Sequence, residues 1–198
     1  WVAPDDAYPR AKVAATRALQ LDADLAEAMT SLGKVLGWYE WDFAGAERQL
    51  RRAVTISPND AEAHWAFGSI LPTVGQLGEA IEEIRRALTV DPLDPYYSRW
   101  LARFLLYAGE HLGAIAQGEK IIELGEDFAP VYIDIGSTYL ALGQPDRALE
   151  WYRKGQALEH SVRSYDAYIV RALAASRRGD EAREIMSRGP SSALVPTP

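Results

Sequence analysis

The chain has 198 residues, of which 48% are hydrophobic and 25% are charged, and its formal net charge is −7. This composition excludes a wholly disordered chain, and the sequence holds no run of 18 apolar residues that could span a bilayer. The absence of cysteine excludes disulfide bonds and thiolate metal sites, and the acidic charge disfavours general binding to nucleic acid.

The first 25 residues predict one helix, at about residues 8–20, because their apolar residues recur at helical spacing. We interpret residues 1–25 as the second half of a repeat unit whose first half is absent. The segment opens with Trp1 and shows neither the basic nor the apolar region of a signal peptide. We therefore expect a truncated N-terminus and a cytoplasmic location.

A period of 34 residues organises the rest of the chain. Alanine recurs five times at this spacing, at Ala46, Ala80, Ala114, Ala148 and Ala182. In the unit 61–94, apolar residues recur at steps of three and four on both sides of a Gly-containing break, which predicts two helices joined by a turn. The predicted units are 26–60, 61–94, 95–128, 129–162 and 163–188. Residues 189–198 are rich in Pro and Ser, lack a helical period and are expected to be disordered.

This pattern resembles the tetratricopeptide repeat (TPR) family. Unit 61–94 has Gly68, Ala80, Ala87 and Pro92 where that family places a small residue, two alanines and a proline. The resemblance implies an all-α fold, a right-handed TPR superhelix in which each helical hairpin covers an apolar face of the next. Small residues let the paired helices approach closely, and a larger residue there would cost about 1–3 kcal/mol by overpacking.

Two repeats depart from the family pattern. Gly118 stands where a large residue is usual, and Gly155 stands at an alanine position. Because glycine fills less space than either residue, we expect looser or altered packing around both positions.

The resemblance also implies that the first helix of each unit lines a concave groove. The candidate protein- or peptide-binding residues on these helices are Trp65, Tyr96, Arg99, Trp100, Arg103, Tyr107 and Arg171. Arginine and aromatic residues dominate binding hot spots, and arginine binds carboxylates through two hydrogen bonds. We therefore predict that the groove binds an extended or helical segment with an acidic or aromatic anchor, centred on Arg99 and Arg103. In the alternative interpretation the arginines pair with acidic neighbours such as Glu62 or Asp134, and the aromatic residues are half-buried packing.

Catalysis is not predicted, because the sequence holds no nucleotide-binding, nucleophile-elbow or zinc-protease motif. The three histidines, His64, His111 and His160, occupy different positions in their units, and His64 is interpreted as a structural histidine. Adjacent carboxylates such as Glu82 and Glu83 point about 100° apart on a helix, so they do not converge on one substrate. We expect no cofactor and no metal.

Basic pairs recur at 34-residue steps on the second helices, as in Arg51–Arg52 and Arg85–Arg86. They could form a basic surface for an acidic partner, but we favour neutralisation by nearby glutamates, and we expect neither nucleic acid nor membrane as a partner. Two further functions stay open: self-association into a homo-oligomer through helix 8–20, and sensing of a small ligand. Residues 39–54 are similar to TPR segments of bacterial multidomain signalling proteins, which implies a scaffold segment of a larger regulatory protein.

Overall fold

The computed structural model describes residues 4–125, 129–158 and 165–187, and these residues form helices and turns without a strand. The chain divides into two compact units, residues 1–108 and 109–198, which we call the first and second units. The division falls inside the predicted repeat 95–128, between its two helices.

The first unit contains six α-helices among its described residues. They are α1 (Pro4–Leu21), α2 (Ala26–Trp38), α3 (Phe43–Ile56), α4 (Ala61–Ile70), α5 (Leu77–Val90) and α6 (Pro95–Tyr107). A short 3-10 helix, Leu71–Val74, follows α4. Helix α2 packs on α3 and α4 packs on α5, as the predicted hairpins require, and α1 spans the residues near 8–20 where a helix is predicted.

Aspartate side chains cap α4 and α6, two of the helices that carry candidate residues. The side chain of Asp60 accepts a hydrogen bond from Ala63 N at 3.1 Å, and that of Asp94 accepts one from Tyr96 N at 2.7 Å. A carboxylate at this position satisfies a backbone N–H that has no partner within the helix. The caps therefore define where α4 and α6 begin, and so which side chains share a face.

The second unit contains five helices among its described residues. They are α7 (His111–Glu123), α8 (Ala129–Ala141), α9 (Pro145–Leu158), α10 (Asp166–Ala175) and α11 (Gly179–Ser187). Helices α8 and α9 form one hairpin and α10 and α11 form the next. The core between them includes the fully buried Tyr152 and Tyr165, whose large rings fill the space beside small residues.

The small residues lie where the 34-residue period predicts. All five recurrent alanines are buried. A Cβ added to Gly68 would lie 3.1 Å from the carbonyl oxygen of Ala80, so the two helices of that hairpin are in close backbone contact. The predicted all-α arrangement of hairpins with small residues at the contacts is confirmed.

The looser packing expected at Gly118 and Gly155 is not found. Both glycines are buried, and a Cβ on Gly118 would lie 2.6 Å from Ile135 Cγ1. A Cβ on Gly155 would lie 2.7 Å from Tyr132 Cβ and would also collide with Tyr165. The packing is altered and tight, because large side chains from neighbouring helices occupy the space that each glycine leaves.

Five turns between helices share one left-handed residue among the described residues, and its position also follows the 34-residue period. Glycine occupies it at Gly75, Gly109 and Gly143, with φ of 80°, 80° and 70°. Trp41 and Arg177 occupy the equivalent positions with φ of 59° and 60°. A side chain in this conformation is strained, so these two turns differ from the glycine turns in energy and in what they expose.

Three predicted features extend outside the described residues. The tail 189–198, expected to be disordered, lies there entirely. Residues 126–128 and 159–164, where the predicted units 95–128, 129–162 and 163–188 meet, also lie outside the described ranges.

Candidate functional site

The candidate residues lie on three helices. Trp65 belongs to α4, and Arg171 belongs to α10 in the second unit. The remaining five, Tyr96, Arg99, Trp100, Arg103 and Tyr107, lie on α6. Six of the seven predicted residues therefore belong to the first unit, and the site geometry that follows is that of the first unit alone.

An uninterrupted series of aromatic contacts connects α2, α4 and α6. Ring centroids are 5.1 Å apart between Trp38 and Trp65 and 5.2 Å apart between Trp65 and Tyr96. The series continues along α6 from Tyr96 to Trp100 at 6.3 Å and from Trp100 to Phe104 at 5.4 Å. Tilted and edge-on rings at these distances attract one another through their quadrupoles. We call Trp38, Trp65, Tyr96, Trp100 and Phe104 the aromatic series.

Two cations lie against the aromatic series. Lys34 Nζ is 5.7 Å from the Trp38 ring and 6.0 Å from the Trp65 ring, and it forms an ion pair with Glu62 at 2.5 Å. The Arg103 guanidinium lies 5.4 Å from the Trp100 ring. A cation over an aromatic face contributes about 0.5–2 kcal/mol, depending on how far it is desolvated. Four of the predicted residues, Trp65, Tyr96, Trp100 and Arg103, are therefore linked by successive contacts.

Exposure separates the candidate residues into two groups. Trp65 is only 8% exposed and belongs to the packed interior, whereas Tyr96 and Tyr107 are 41% and 58% exposed. Arg99, Trp100 and Arg103 are partly buried. The α6 residues are accessible to a partner, whereas Trp65 is buried and packs against Tyr96.

The hydrogen bonds bear on the alternative interpretation of the arginines. Arg103 donates to the Tyr107 hydroxyl at 3.3 Å, one helical turn away. Glu62, one of the two acidic neighbours named for the arginines, pairs with Lys34. The alternative also holds that the aromatic residues are half-buried packing. The burial of Trp65 agrees with this interpretation, whereas the exposure of Tyr107 does not.

Arg171 is exposed on α10. Burial raises the pKa of Tyr152, and the positive charge of Arg171 partly opposes that rise. A role for Arg171 in binding stays a prediction.

Lys34 and Trp38 were missed when the candidate set was drawn from the sequence. The family resemblance places both at groove-facing positions of the first complete repeat, but they lack the local clustering that marked α6. A signal for Lys34 exists in the sequence, since opposite charges recur 28 residues apart. Among the described residues such ion pairs form four times, as Lys12–Glu40, Asp24–Arg52, Lys34–Glu62 and Arg51–Glu79.

The basic pairs of the first unit are matched by acidic residues. Arg51 bonds both Glu47 and Glu79, and Arg85 bonds Glu82 at 2.7 Å. The neutralisation favoured from the sequence describes these residues well. Exposed pairs of this kind contribute about 0–1 kcal/mol each.

An acidic cleft of about 820 Å³ lies between α2 and the turn that leads into α4. It is lined by Glu27, Thr30, Ser31, Ser57, Pro58, Asn59, Asp60, Ala61 and Glu62. The effect of the local acids reaches α6: burial, together with the charges of Asp94 and Glu62, raises the pKa of Tyr97 to about 12. Acidic side chains therefore lie close to this end of the aromatic series.

The described residues give little support for catalysis or for a metal site. Among them, no group of three or more His, Asp or Glu side chains is placed to hold a metal ion. His64 is buried and is hydrogen-bonded to the Glu83 carboxylate and the Pro58 carbonyl oxygen, as expected of a structural histidine. His160 lies outside the described residues. None of the described helices is both long and apolar enough to cross a membrane.

Comparison with known proteins identifies the repeat. Two family models described as tetratricopeptide repeat match residues 73–127 and 129–159. Among curated proteins, Superkiller protein 3 of Schizosaccharomyces pombe is 28% identical over 67% of this chain and 10% of its own length. DnaJ homolog subfamily C member 3 of Bos taurus is 32% identical over 48% of this chain and 19% of its own length. The chain thus spans a fifth or less of these relatives.

Solved structures show the same fold at low identity. PilW, described as a widely conserved type IV pilus biogenesis factor, superposes with a TM-score of 0.84 at 18% identity, covering 93% of this chain and 85% of PilW. YrrB, described as a TPR protein with an unusual peptide-binding site, superposes with a TM-score of 0.68 at 20% identity, covering 87% and 84%. The predicted fold class, an all-α solenoid of hairpins, is confirmed.

Proposed function

Because the chain belongs to the tetratricopeptide repeat family, we propose that its first unit binds a segment of a protein partner along the aromatic series. The observation that carries the proposal is the contact of Trp100 with Tyr96 on one side and with the Arg103 guanidinium on the other. This arrangement offers a rigid aromatic surface beside a cation, the combination that dominates binding hot spots. The module is a non-catalytic scaffold.

The α6 arginines give the surface its chemical preference. Arg99 and Arg103 lie one turn apart on α6, and Arg103 is held between Trp100 and Tyr107. A guanidinium held in place loses less entropy when it binds a carboxylate with two hydrogen bonds. The bound segment is therefore extended or helical and carries an acidic or aromatic anchor. YrrB, whose description includes a peptide-binding site, supports this use of the fold.

Two wider features belong to the proposal. The curated relatives are far longer than this chain, which supports a role as the recognition segment of a larger regulatory or signalling protein. Its expected location is the cytoplasm, and cell fractionation with an antibody against this segment tests that expectation.

The test uses peptides selected from a random library on the immobilised chain. We expect the Arg99→Glu/Arg103→Glu double variant to lower their affinity at least tenfold, since both charges that hold the anchor are reversed. Arg10→Glu/Arg17→Glu on α1 makes the same charge change away from the aromatic series and should alter affinity less than twofold. Undiminished binding by the α6 variant, with an unchanged circular dichroism melting curve, overturns the proposal.

A further inference from the structure

The acidic cleft continues the predicted binding surface towards the beginnings of α2 and α4. Glu27 and Thr30 lie on α2, at positions that the family resemblance assigns to the groove, and Glu62 lies near the beginning of α4. The turn before α4 closes the cleft and brings in Asp60. The cleft and the aromatic series share an edge, because Glu62 pairs with the same Lys34 that lies over Trp65.

The charge of the cleft is only partly balanced by the chain itself. Asp60 Oδ1 accepts a backbone hydrogen bond as the cap of α4, which leaves its charge in place. Glu62 shares its charge with Lys34, yet its side chain is still 56% exposed. Glu27 is also exposed. Three carboxylates thus line a concave surface against one nearby ammonium group, and the cleft favours a cation.

Thr30 provides an independent indication that the cleft binds a ligand. Its side chain is buried, it lines the cleft, and its hydroxyl has no hydrogen-bond partner among the described residues. Helical threonines elsewhere in the chain bond the carbonyl four residues earlier, as Thr55, Thr89 and Thr138 do. A buried hydroxyl without a partner is costly, and a donor placed in the cleft would remove that cost.

The spacing of the carboxylates selects the kind of cation. They do not converge into a group that could hold a metal ion, within the part of the chain that the structure describes. A guanidinium carries five N–H donors in a planar fork, so it can reach separated acceptors that a metal ion cannot bridge. Thr30 lines the same cleft, and its buried hydroxyl oxygen becomes an acceptor for such a donor when the side chain rotates towards it.

We propose that the acidic cleft binds the guanidinium of an arginine in the partner segment. The inference rests on the proposed function, because that arginine belongs to the segment whose acidic or aromatic anchor is bound by Arg99 and Arg103. The segment is therefore of mixed charge, with a basic residue over α2 and α4 and its anchor on α6. This charge pattern also sets the direction in which the segment lies.

A fragment titration tests the cleft without any peptide. The probe is the Nα-acetyl amide of arginine, added to the full chain labelled with nitrogen-15, with the matching lysine and glutamate amides as comparisons. We expect the arginine probe to shift the amide signals of Thr30 and Asn59. The lysine probe should bind at least threefold more weakly and the glutamate probe should not bind. Equal binding of arginine and lysine, or no shift in the cleft, overturns the inference.

Matched variants assign the binding to these residues. Glu27→Gln/Asp60→Asn removes two charges, and asparagine caps a helix as well as aspartate does, so the fold is retained. We expect arginine-probe binding to weaken at least fivefold. Asp94→Asn makes the same change at the equivalent cap of α6, outside the cleft, and should alter binding less than twofold. Equal losses in both variants contradict the inference.

Thr30→Val supplies a second variant, because the Thr30 hydroxyl has no hydrogen bond to lose among the described residues. It should leave the melting temperature unchanged or higher and weaken arginine-probe binding at least twofold. A lower melting temperature shows that the hydroxyl is already paired, and this contradicts the inference.

The library peptides separate the two proposals. If their binding depends on Arg99 and Arg103 but not on Glu27 and Asp60, the proposed function stands and this inference fails. If the arginine probe binds in the cleft but peptide affinity does not depend on Arg99 and Arg103, the inference about the cleft stands and the proposed function fails.

Discussion

The imidazole of His64 and the carboxylate of Glu83 form a buried pair that joins α4 to α5, with His64 Nδ1 at 2.6 Å from Glu83 Oε2. The other ring nitrogen lies 2.9 Å from the carbonyl oxygen of Pro58, and Arg86 bonds the second carboxylate oxygen at 2.8 Å. Both ring nitrogens therefore face acceptors, and the doubly protonated imidazolium is the form that satisfies both.

This pair predicts a pH dependence of stability. The hydrogen bond to Glu83 raises the pKa of His64 above its ordinary value of 6.5, against the opposing effects of burial and of Arg86. A pKa raised in the folded state adds stability that is complete below pH 6.5 and is lost as the pH rises through the folded-state pKa. Urea unfolding from pH 5.5 to 9 should show wild type losing stability relative to His64→Gln. Parallel curves for the two proteins would contradict the prediction.

The same pair predicts unequal effects of two adjacent glutamates. Glu83→Ala leaves the buried imidazolium without its partner and should lower the free energy of unfolding by about 3–5 kcal/mol. Glu82→Ala removes an exposed partner of Arg85 and should cost less than about 1 kcal/mol. Chemical denaturation at pH 6 measures both. Similar losses in the two variants would show that the buried pair contributes no more than a surface one.

Tight packing at Gly155 predicts that a single methyl group destabilises the second unit. Gly155→Ala places a Cβ against Tyr132 and Tyr165 and should cost about 1–3 kcal/mol. Gly78→Ala is the control, because its Cβ would meet nothing within 4 Å, and alanine should stabilise α5 by about 0.5–1 kcal/mol. Thermal unfolding followed by circular dichroism gives the order of the three proteins, and a Gly155→Ala variant as stable as wild type contradicts the packing.

The left-handed turns predict opposite effects of glycine and alanine at equivalent positions. Arg177→Gly relieves a strained φ and should raise the free energy of unfolding by about 0.5–1 kcal/mol, whereas Gly75→Ala introduces that strain and should lower it by about 1 kcal/mol.

Trp41→Gly tests whether strain or contact dominates at its turn. The Trp41 ring is 72% exposed and meets Phe43 edge-on at 6.0 Å, so relief of strain and loss of the aromatic contact should nearly cancel, within about 1 kcal/mol. Urea denaturation measures all three turn variants. A loss above 2 kcal/mol in Trp41→Gly would mean that the indole is part of the core.

Much of the fold was predictable because its signals are local and periodic. The recurrent alanines, the helix pairs and the turn positions follow one 34-residue spacing, and close helix contact demands a small residue wherever that spacing repeats. The packing at Gly118 was not predictable from the glycine itself. The space there is filled by Ile135, a residue of the next helix whose rotamer depends on three-dimensional register.

The candidate site divides in the same way. The α6 residues were visible because arginines and aromatic residues lie within one helix. Trp65 has the same composition signal but is buried, since its ring is covered by Trp38 and Tyr96 from neighbouring repeats. The acidic cleft was not predicted, because its walls come from α2 and from a turn about 30 residues further along the chain.

By itself, the sequence determined a helical repeat with small residues at the helix contacts and a cluster of arginine and aromatic side chains on one helix. Tertiary structure alone decided that His64 meets Glu83, and that the Thr30 hydroxyl lies beside three carboxylates without a hydrogen-bond partner among the described residues. The physical reason is that backbone periodicity requires only local geometry and residue size. Pairing of long polar side chains depends on how adjacent hairpins are packed, to within an ångström.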